Sequence, residues 1–402
     1  MIGSFLLIAP AGALAQDASF CGYPDWFAVQ QAQNQGKILS PLCKGELDAG
    51  EDHRVLAEAE LNAVIKSAPQ STEPYQAHSA LSHFYLRIGR FHEAEAQVKA
   101  MLASRPTAPD LANIRSLFKL LASHPDMTVA SEHTASIPSQ TIAGNIFAPV
   151  TVNGSPRSYM LDTGMDLSFM SKKEAARLGL KAESSTTRMN DISGIAGAEL
   201  RVVVVDDLVV GATHMRYVPF LVIADDNGAF VGLPPDQQGV LGIQVLVALG
   251  TLSFQANETL TISHNTARTV TTEPLLFVGT SSLTQIVYRG RTLPVTFDMG
   301  ATQTTFNPPF AKLFPEVVRT GTNQNHDLRG LSKSTVQPSV SVPHLRFQFG
   351  RKVELDPATI LLNQTTDSSA WSAANLGYDV MHQARPFILD FRRMRIGFTA
   401  RK

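Results

Sequence analysis

Two aspartates at matching positions of an internal repeat are the residues in this sequence best suited to chemistry. Asp162 lies in the segment Met-Leu-Asp-Thr-Gly, and Asp298 lies in the segment Thr-Phe-Asp-Met-Gly. A carboxyl group can take up or release a proton, so both residues could serve general acid–base catalysis. A lone Asp-Thr-Gly tripeptide arises by chance in roughly one chain in ten of this length, and Asp before Gly is common in ordinary turns. The assignment therefore depends on what surrounds the two residues.

Further landmarks recur at nearly equal distances from the two aspartates. They are a glycine eight residues before (Gly154 and Gly290), a glycine 32 residues after (Gly194 and Gly330), a Leu-Gly pair whose glycine lies 80 or 79 residues after (Gly242 and Gly377), and a phenylalanine 92 or 93 residues after (Phe254 and Phe391). After residue 130, Val, Thr, Ile and Phe alternate with Gly, Pro and Asn, a pattern typical of β-sheet. We therefore expect two similar β lobes, residues 140–263 and 272–398, built from one unit.

The order of the segments in each lobe is also informative. In the first lobe an Asn153-Gly154 hairpin leads into a strand that ends at Asp-Thr-Gly, and the segments Ser193-Gly194-Ile195-Ala196-Gly197 and Val240-Leu241-Gly242 follow. In the second lobe, residues 377–381 and 387–391 form a matching closing region. In this order the segments resemble a bacterial retropepsin-like aspartic protease domain. The resemblance covers both lobes, nearly two thirds of the chain.

The resemblance implies a fold and a mechanism. The expected fold class is mostly β, with two similar retropepsin-like lobes that form a pseudo-twofold bilobal unit. One aspartate from each lobe, Asp162 and Asp298, would form a catalytic pair. Carboxyl groups about 3 Å apart do not both ionise, so one can act as base on a water while the other polarises the peptide carbonyl. The residues expected to support the active-site loops are Thr163, Gly164, Gly300 and Thr302.

The family also has flaps over the site. The resemblance places them at residues 192–198, with Gly194, Ile195 and Gly197, and at residues 328–334, with Gly330 and Leu331. Flaps of this kind exclude water and bind an extended peptide through main-chain hydrogen bonds. A chain with both lobes completes its site internally, so we expect a monomer with an internal pseudo-dimer and a peptide or protein substrate.

Two positions depart from the family pattern. Met299 replaces a Thr or Ser whose hydroxyl braces the opposite loop, so half of that cross-brace is predicted to be absent. Asp166 stands where a hydroxyl usually bonds the catalytic carboxylate; it either adds a third buried acid or turns outward to cap the next segment. Three interpretations remain open at this stage: an unusually tuned peptidase, a catalytically silent peptide-binding pseudo-protease, and two ordinary turn residues.

The N-terminal part of the sequence predicts export. Residues 1–15 are apolar and end in Ala13-Leu14-Ala15, which is typical of a cleaved signal peptide, although an apolar strand or helix is the alternative. Residues 16–44 contain the two cysteines, Cys21 and Cys43, which are expected to form one disulfide in an oxidising compartment. No other apolar stretch reaches the length of a membrane span, so the protein is expected to be periplasmic or secreted.

Residues 45–130 have a helical pattern and predict a small α-helical domain. The stretch from His78 to Pro106 resembles a tetratricopeptide repeat, because Leu81, Tyr85, Gly89, Ala94 and Pro106 occupy its small and aromatic packing positions. One such hairpin needs neighbours to bury its apolar face, so flanking helices are expected near residues 51–67 and 109–122. The domain could bind a protein partner or brace the rest of the chain. Residues 138–142 are the expected linker.

Composition excludes several other functions. The 34 basic and 35 acidic side chains give a formal charge of −1, which offers no electrostatic reason for binding nucleic acid or an anionic membrane. The sequence contains no phosphate-binding loop, no zinc-binding His-Glu-x-x-His motif and no Gly-x-Ser-x-Gly motif. We therefore expect no metal and no cofactor.

Overall fold

A computed structural model describes residues 21–23, 25–67, 72–105, 108–131, 133–188, 199–263, 271–329, 334–365 and 368–399. The predicted fold class is confirmed: the chain is mostly β, with large curled sheets that follow an N-terminal helical region. The predicted signal peptide and the flap residues Gly194, Ile195, Gly197, Gly330 and Leu331 lie outside the described residues.

The helical region begins earlier than the sequence predicts. Its helices are α1 (Trp26–Asn34), α2 (Pro41–Gly50), α3 (Arg54–Ser67), α4 (Glu73–Arg87), α5 (Phe91–Ser104) and α6 (Pro109–Leu121). Helices α3 and α6 agree with the two predicted flanking helices, whereas α1 and the start of α2 fall in a segment that was not predicted to be helical. Asp25 and Ser40 cap α1 and α2, because each side chain accepts a hydrogen bond from a main-chain N–H of the first turn.

The first sheet is built from the chain between residues 128 and 241. Its strands, numbered along the whole chain, are β1 (Thr128–Ser131), β3 (Gln140–Ile142), β4 (Asn145–Val152), β5 (Ser155–Leu161), β6 (Ser168–Ser171), β7 (Glu183–Arg188), β8 (Glu199–Val205), β9 (Leu208–Val210), β10 (Thr213–Arg216), β11 (Val218–Ile223) and β12 (Gly239–Leu241). Their order is β1-β10-β9-β4-β5-β12-β6-β11-β8-β7, with β3 paired to β4. Helix α7 (Lys172–Arg177) follows β6, and helix α8 (Ile243–Leu249) follows β12.

The second sheet is built from the chain between residues 276 and 376. Its strands are β16 (Leu276–Val278), β17 (Ser281–Tyr288), β18 (Arg291–Phe297), β19 (Thr305–Phe306), β20 (Thr322–Arg329), β21 (Ser334–Val342), β22 (Leu345–Phe349), β23 (Arg351–Leu355), β24 (Ala358–Leu361) and β25 (Ala374–Leu376). Their order is β20-β21-β24-β19-β25-β18-β17-β22-β23, with β16 paired to β17. Helices α9 (Pro308–Leu313), α10 (Pro315–Arg319) and α11 (Tyr378–Ala384) accompany this sheet.

A third sheet contains strands from the chain around the first sheet and from the chain around the second sheet. It contains β2 (Ala135–Pro138), β13 (Thr251–Phe254), β14 (Thr259–Ser263), β15 (Thr271–Pro274), β26 (Phe387–Asp390) and β27 (Arg395–Phe398), in the order β15-β27-β26-β13-β14-β2. The central contact is β13 against β26, where Phe254 stacks on Phe387 with ring centroids 4.8 Å apart. The predicted linker at residues 138–142 is wrong, because strands β2 and β3 occupy most of it. We call residues 128–263 the first β half and residues 271–399 the second β half.

The helical region is attached to the second β half by a buried arginine. Arg87 is 1% exposed, and its guanidinium donates to the carbonyl oxygen of Ala49 at 2.5 Å and to that of Gly279 at 2.8 Å. The guanidinium also lies 4.2 Å from the ring centroid of Phe277. Because a buried cation is costly unless it is paired or hydrogen-bonded, these contacts fix the position of α4 against the second β half.

The predicted disulfide is present. Cys21 and Cys43 are joined, with their Cα atoms 5.9 Å apart, so that the chain before α1 is tied to α2. Within the described residues, every helix is too short or too polar to cross a membrane.

Candidate active site

The two aspartates follow matching strands in the two β halves. Asp162 comes directly after β5, and its N–H donates to the carbonyl oxygen of Leu241 at 3.0 Å. Asp298 comes directly after β18, and its N–H donates to the carbonyl oxygen of Leu376 at 3.0 Å. In each half the strand therefore delivers its aspartate beside a second strand, β12 or β25, which runs parallel to it.

Glycine is required two positions after each aspartate because the loops are in direct contact. A Cβ added at Gly164 would lie 2.5 Å from Oδ1 of Asp298, and a Cβ added at Gly300 would overlap the carboxyl of Asp162. Each glycine thus lies against the carboxyl group of the opposite half. The structure brings the two predicted carboxyl groups together.

Main-chain donors hold the two carboxyl groups in matching ways. The N–H of Gly164 donates to Oδ1 of Asp162 at 2.8 Å, and the N–H of Gly300 donates to Oδ1 of Asp298 at 3.0 Å. The second carboxyl oxygens differ. Oδ2 of Asp298 accepts a hydrogen bond from the side-chain amide of Asn375 at 2.9 Å. Oδ2 of Asp162 is buried and, within the described part of the chain, receives no side-chain amide or hydroxyl donor. The main-chain N–H of Gly300, on the opposite loop, is a further donor that lowers the pKa of Asp162.

Burial raises the pKa of both aspartates. Asp162 is fully buried and Asp298 is 1% exposed. Burial is the main cause of the raised pKa of Asp162, and the charge of Asp298 raises that pKa further. Burial also raises the pKa of Asp298, but the hydrogen bond from Asn375 is the largest opposing influence. The pair therefore retains a proton at a pH at which an isolated aspartate has lost it.

The predicted half of the cross-brace is present. The hydroxyl of Thr163 donates to the carbonyl oxygen of Phe297 at 2.7 Å and accepts from the N–H of Met299 at 3.0 Å. Thr163 therefore ties the loop of the first half to the loop that carries Asp298. Met299 is buried, and its thioether side chain has no hydroxyl with which to make the reciprocal bonds.

The position of Asp166 decides between the two alternatives that the sequence allows. The expectation that it turns outward is wrong, because Asp166 is only 4% exposed. Its carboxyl oxygen Oδ1 accepts a hydrogen bond from the hydroxyl of Thr280, which belongs to the second half. Thr302, the matching residue of the second half, packs against Gly144, where an added Cβ would lie 3.4 Å from the Cβ of Thr302. Asn375, rather than Thr302, supplies the side-chain donor to Asp298.

The hairpins predicted as flaps are described only in their arms. Strands β7 and β8 pair on either side of the first predicted flap, and strands β20 and β21 pair on either side of the second. Helix α6 is attached to the arm β7. The hydroxyl of Thr187 accepts from the N–H of Leu117 at 2.9 Å and donates to the carbonyl oxygen of Asn113 at 2.7 Å. The helical region thus contacts the β7 arm of one hairpin, next to Arg188, the last described residue of that arm.

One group in the described residues has the side chains of a metal site. Ligand atoms of Asp48, Glu51 and His53 lie within 4.8 Å of one another in the helical region. Nδ1 of His53 already lies 3.1 Å from Oδ1 of Asp48 and 3.4 Å from Oε2 of Glu51, so hydrogen bonding and ion pairing account for the cluster.

Comparison with known protein families gives one match. The model of a family described as aspartyl protease matches residues 148–245, a segment that contains Asp162, Gly164 and the strand β12. The match does not reach Asp298. No curated protein matches the chain. The family match supports a hydrolase of the aspartic protease kind, which acts on peptides.

Proposed function

We propose that the protein is an exported aspartic endopeptidase that uses Asp162 and Asp298 as its catalytic pair. The observation that carries the proposal is the contact between the two loops, in which each glycine lies against the opposite carboxyl group. An ordinary turn aspartate would have neither an acidic partner nor a raised pKa. The disulfide and the predicted signal peptide support export, because disulfides persist in oxidising compartments.

The chemistry needs one ionised and one protonated carboxyl group. The ionised carboxylate removes a proton from a water molecule, whose oxygen forms a bond to the carbonyl carbon of the peptide. The protonated carboxyl group gives its proton to the carbonyl oxygen as the C=O π bond breaks. Collapse of the resulting diol breaks the C–N bond, and a proton passes to the leaving nitrogen. A raised pKa in the pair keeps one carboxyl group protonated at a pH at which an isolated aspartate is ionised.

The burial of both carboxyl groups implies that substrate entry needs an opening movement. The two hairpins, β7–β8 and β20–β21, are the elements that we propose move, because their tips coincide with the predicted flaps. An extended peptide would then pair with these arms through main-chain hydrogen bonds, as strands do. The site is made by two halves of one chain, which supports a monomer with an internal pseudo-dimer.

The direct test is cleavage of an unstructured protein by the purified mature chain between pH 4 and pH 7. Asp162→Asn and Asp298→Asn are each expected to abolish cleavage, because one acid cannot serve both roles. Asp236→Asn, at an exposed position in the first half, is the matched control and should cleave like the wild type. If the double variant of Asp162 and Asp298 cleaves as fast as the wild type, the pair is not the catalytic site.

A catalytically silent peptide-binding protein is the alternative function. Two observations favour it: Met299 removes half of the cross-brace, and both carboxyl groups are buried. A silent protein would bind unstructured peptides without cleaving them, and Asp162→Asn would not change the affinity. Cleavage by the wild type that is lost in Asp162→Asn excludes this alternative.

We propose a bracing role for the helical region, with recognition of a protein partner as the alternative. Arg87 of α4 is hydrogen-bonded to Gly279 in the second β half, and α6 is hydrogen-bonded to Thr187 in the first β half. The helices thus contact both β halves. A partner that also binds would have to use the outer faces of these helices. Deleting residues 21–125 should therefore destabilise the β halves even when no partner is present.

A further inference from the structure

The two β halves surround the dyad with different side chains at two matched positions. In the first half, Met160 of β5 pairs with Val240 of β12. In the second half, Thr296 of β18 pairs with Asn375 of β25. Met160 and Thr296 each lie two residues before an aspartate, and an extended chain places such side chains on one face. An apolar pair therefore lies beside Asp162, and a polar pair lies beside Asp298.

The polar pair is ordered as a chain of hydrogen bonds that ends on Asp298. The hydroxyl of Thr296 donates to Oδ1 of Asn375 at 2.6 Å. With its oxygen occupied in this way, Asn375 directs its NH₂ group at Oδ2 of Asp298, 2.9 Å away. An amide NH₂ can only donate, so its bond is stronger to a carboxylate than to a neutral carboxyl group. Among the residues that the structure describes, no side-chain amide or hydroxyl reaches Oδ2 of Asp162, whose opposite-loop donor is the main-chain N–H of Gly300.

We propose that Asn375, oriented by Thr296, is a positioning residue that keeps Asp298 ionised and leaves the shared proton on Asp162. The proposal rests on the proposed function and deepens it by assigning the two roles. Asp298 takes the proton from water, and Asp162 gives its proton to the carbonyl oxygen of the substrate. The apolar pair Met160 and Val240 acts in the same direction, because apolar surroundings disfavour the charged form of Asp162.

The other acids around the dyad have partners of their own. Asp166, on the loop of the first half, accepts a hydrogen bond from Thr280. Asp379, at the start of α11, accepts from the N–H and the hydroxyl of Thr304. Asn375 is the neutral side chain that donates to Asp298, and it favours the charged form of that carboxyl group.

The first experiment measures kcat/KM against pH with a peptide substrate. Asn375→Val gives the second half the residue that stands at Val240, a position where valine is accommodated. We expect the acidic limb of its profile to move upward by about one pH unit, since a hydrogen bond to a charged group is lost. Thr296→Val should move the limb in the same direction by less, and Thr296→Ser should restore the wild-type profile. An unshifted limb in Asn375→Val overturns the proposal.

The second experiment does not depend on peptidase activity, so it separates failure of this proposal from failure of the proposed function. Because the folded-state pKa of Asp298 is raised, its stabilising contribution is present at low pH and is lost as the pH rises through that pKa. Removing Asn375 raises the pKa further. The Tm deficit of Asn375→Val should therefore be larger at pH 7 than at pH 4, and this pH dependence should vanish in an Asp298→Asn background.

The outcomes of the second experiment are distinct. A Tm deficit that is equal at the two pH values, or one that keeps its pH dependence without Asp298, overturns the assignment of Asn375. If the wild type does not cleave peptides but the pH-dependent deficit is found, the proposed function fails and the positioning role of Asn375 stands.

Discussion

Replacing Thr163 by valine tests the one cross-brace that the active-site loops retain. Valine has nearly the shape of threonine, so the change removes the hydroxyl and leaves the packing in place. The hydroxyl makes two buried bonds, to the carbonyl oxygen of Phe297 and from the N–H of Met299. The carbonyl of Phe297 keeps a second donor, the hydroxyl of Ser282 at 2.5 Å. Only the N–H of Met299 is left without this partner.

The expected loss of stability follows from these two bonds, because the carbonyl of Phe297 keeps a donor and the N–H of Met299 loses its acceptor. Loss of one ordinary hydrogen bond costs about 1 kcal/mol, and burial of an unsatisfied N–H costs a further 1–3 kcal/mol or so. We therefore expect Thr163→Val to lower the free energy of unfolding by about 2–4 kcal/mol. Activity should fall more steeply than stability, because Met299 directly follows Asp298 and its main chain sets the position of that carboxyl group.

The assay is urea denaturation followed by intrinsic fluorescence, with peptide cleavage measured on the same samples. Thr163→Ser is the matched control: it keeps the hydroxyl, loses one methyl group, and should cost about 1 kcal/mol while retaining cleavage. The reasoning is refuted if Thr163→Val unfolds within about 0.5 kcal/mol of the wild type, a difference typical of surface substitutions. It is also refuted if serine is as damaging as valine.

Four further predictions address the brace, the helical region and the disulfide. Met299→Thr should raise kcat by restoring the missing half of the brace, and an unchanged or lower kcat would show that Met299 packs in a different role. Arg87→Met should lower the free energy of unfolding by about 3 kcal/mol in urea, because the buried guanidinium donates hydrogen bonds to the carbonyl groups of Ala49 and Gly279. Thr187→Val should speed amide hydrogen exchange in β7 and the facing turn of α6, and unchanged exchange would argue against that attachment. Replacing Cys21 and Cys43 by serine should cost about 3 kcal/mol, as expected for a closed loop of this length, and a smaller loss in urea would mean that the unfolded chain is already compact there.

The parts of the site that sequence could predict are those fixed by local chemistry. A glycine is needed two positions after each aspartate, because a Cβ there would overlap the opposite carboxyl group. This requirement is visible in the sequence as the two Asp-x-Gly tripeptides. The absence of a hydroxyl at position 299 can also be predicted from the sequence, because methionine has none. By contrast, the donor to Asp298 comes from Asn375, 77 positions away, and the partner of Asp166 comes from Thr280, 114 positions away. Periodicity and motifs carry no information about such bonds.

A signal for Asn375 was nevertheless present in the sequence. It aligns with Val240 in the repeat, so a polar residue occupies a position that is apolar in the matching segment. Helix α2 begins at Pro41, before the predicted helical domain, and it contains Gly45 and Gly50, which lower its helix propensity. Both glycines allow close contact, since an added Cβ would lie 2.7 Å from Leu61 in one case and 2.8 Å from the carbonyl oxygen of Phe277 in the other. Tertiary packing therefore overrides the local preference.

The contrast between matched main-chain bonds and unmatched side chains has a chemical consequence. Within its own half, each aspartate has the same kind of main-chain partners at similar distances, because a large change in these bonds would move a carboxyl group away from its neighbour. Side chains are free of this constraint. A perfectly symmetric pair would share its proton equally, and the two roles in peptide hydrolysis could then be exchanged. With Asn375 on one side and Val240 on the other, the free energies of the two protonation states differ, so each carboxyl group enters the reaction already in its role.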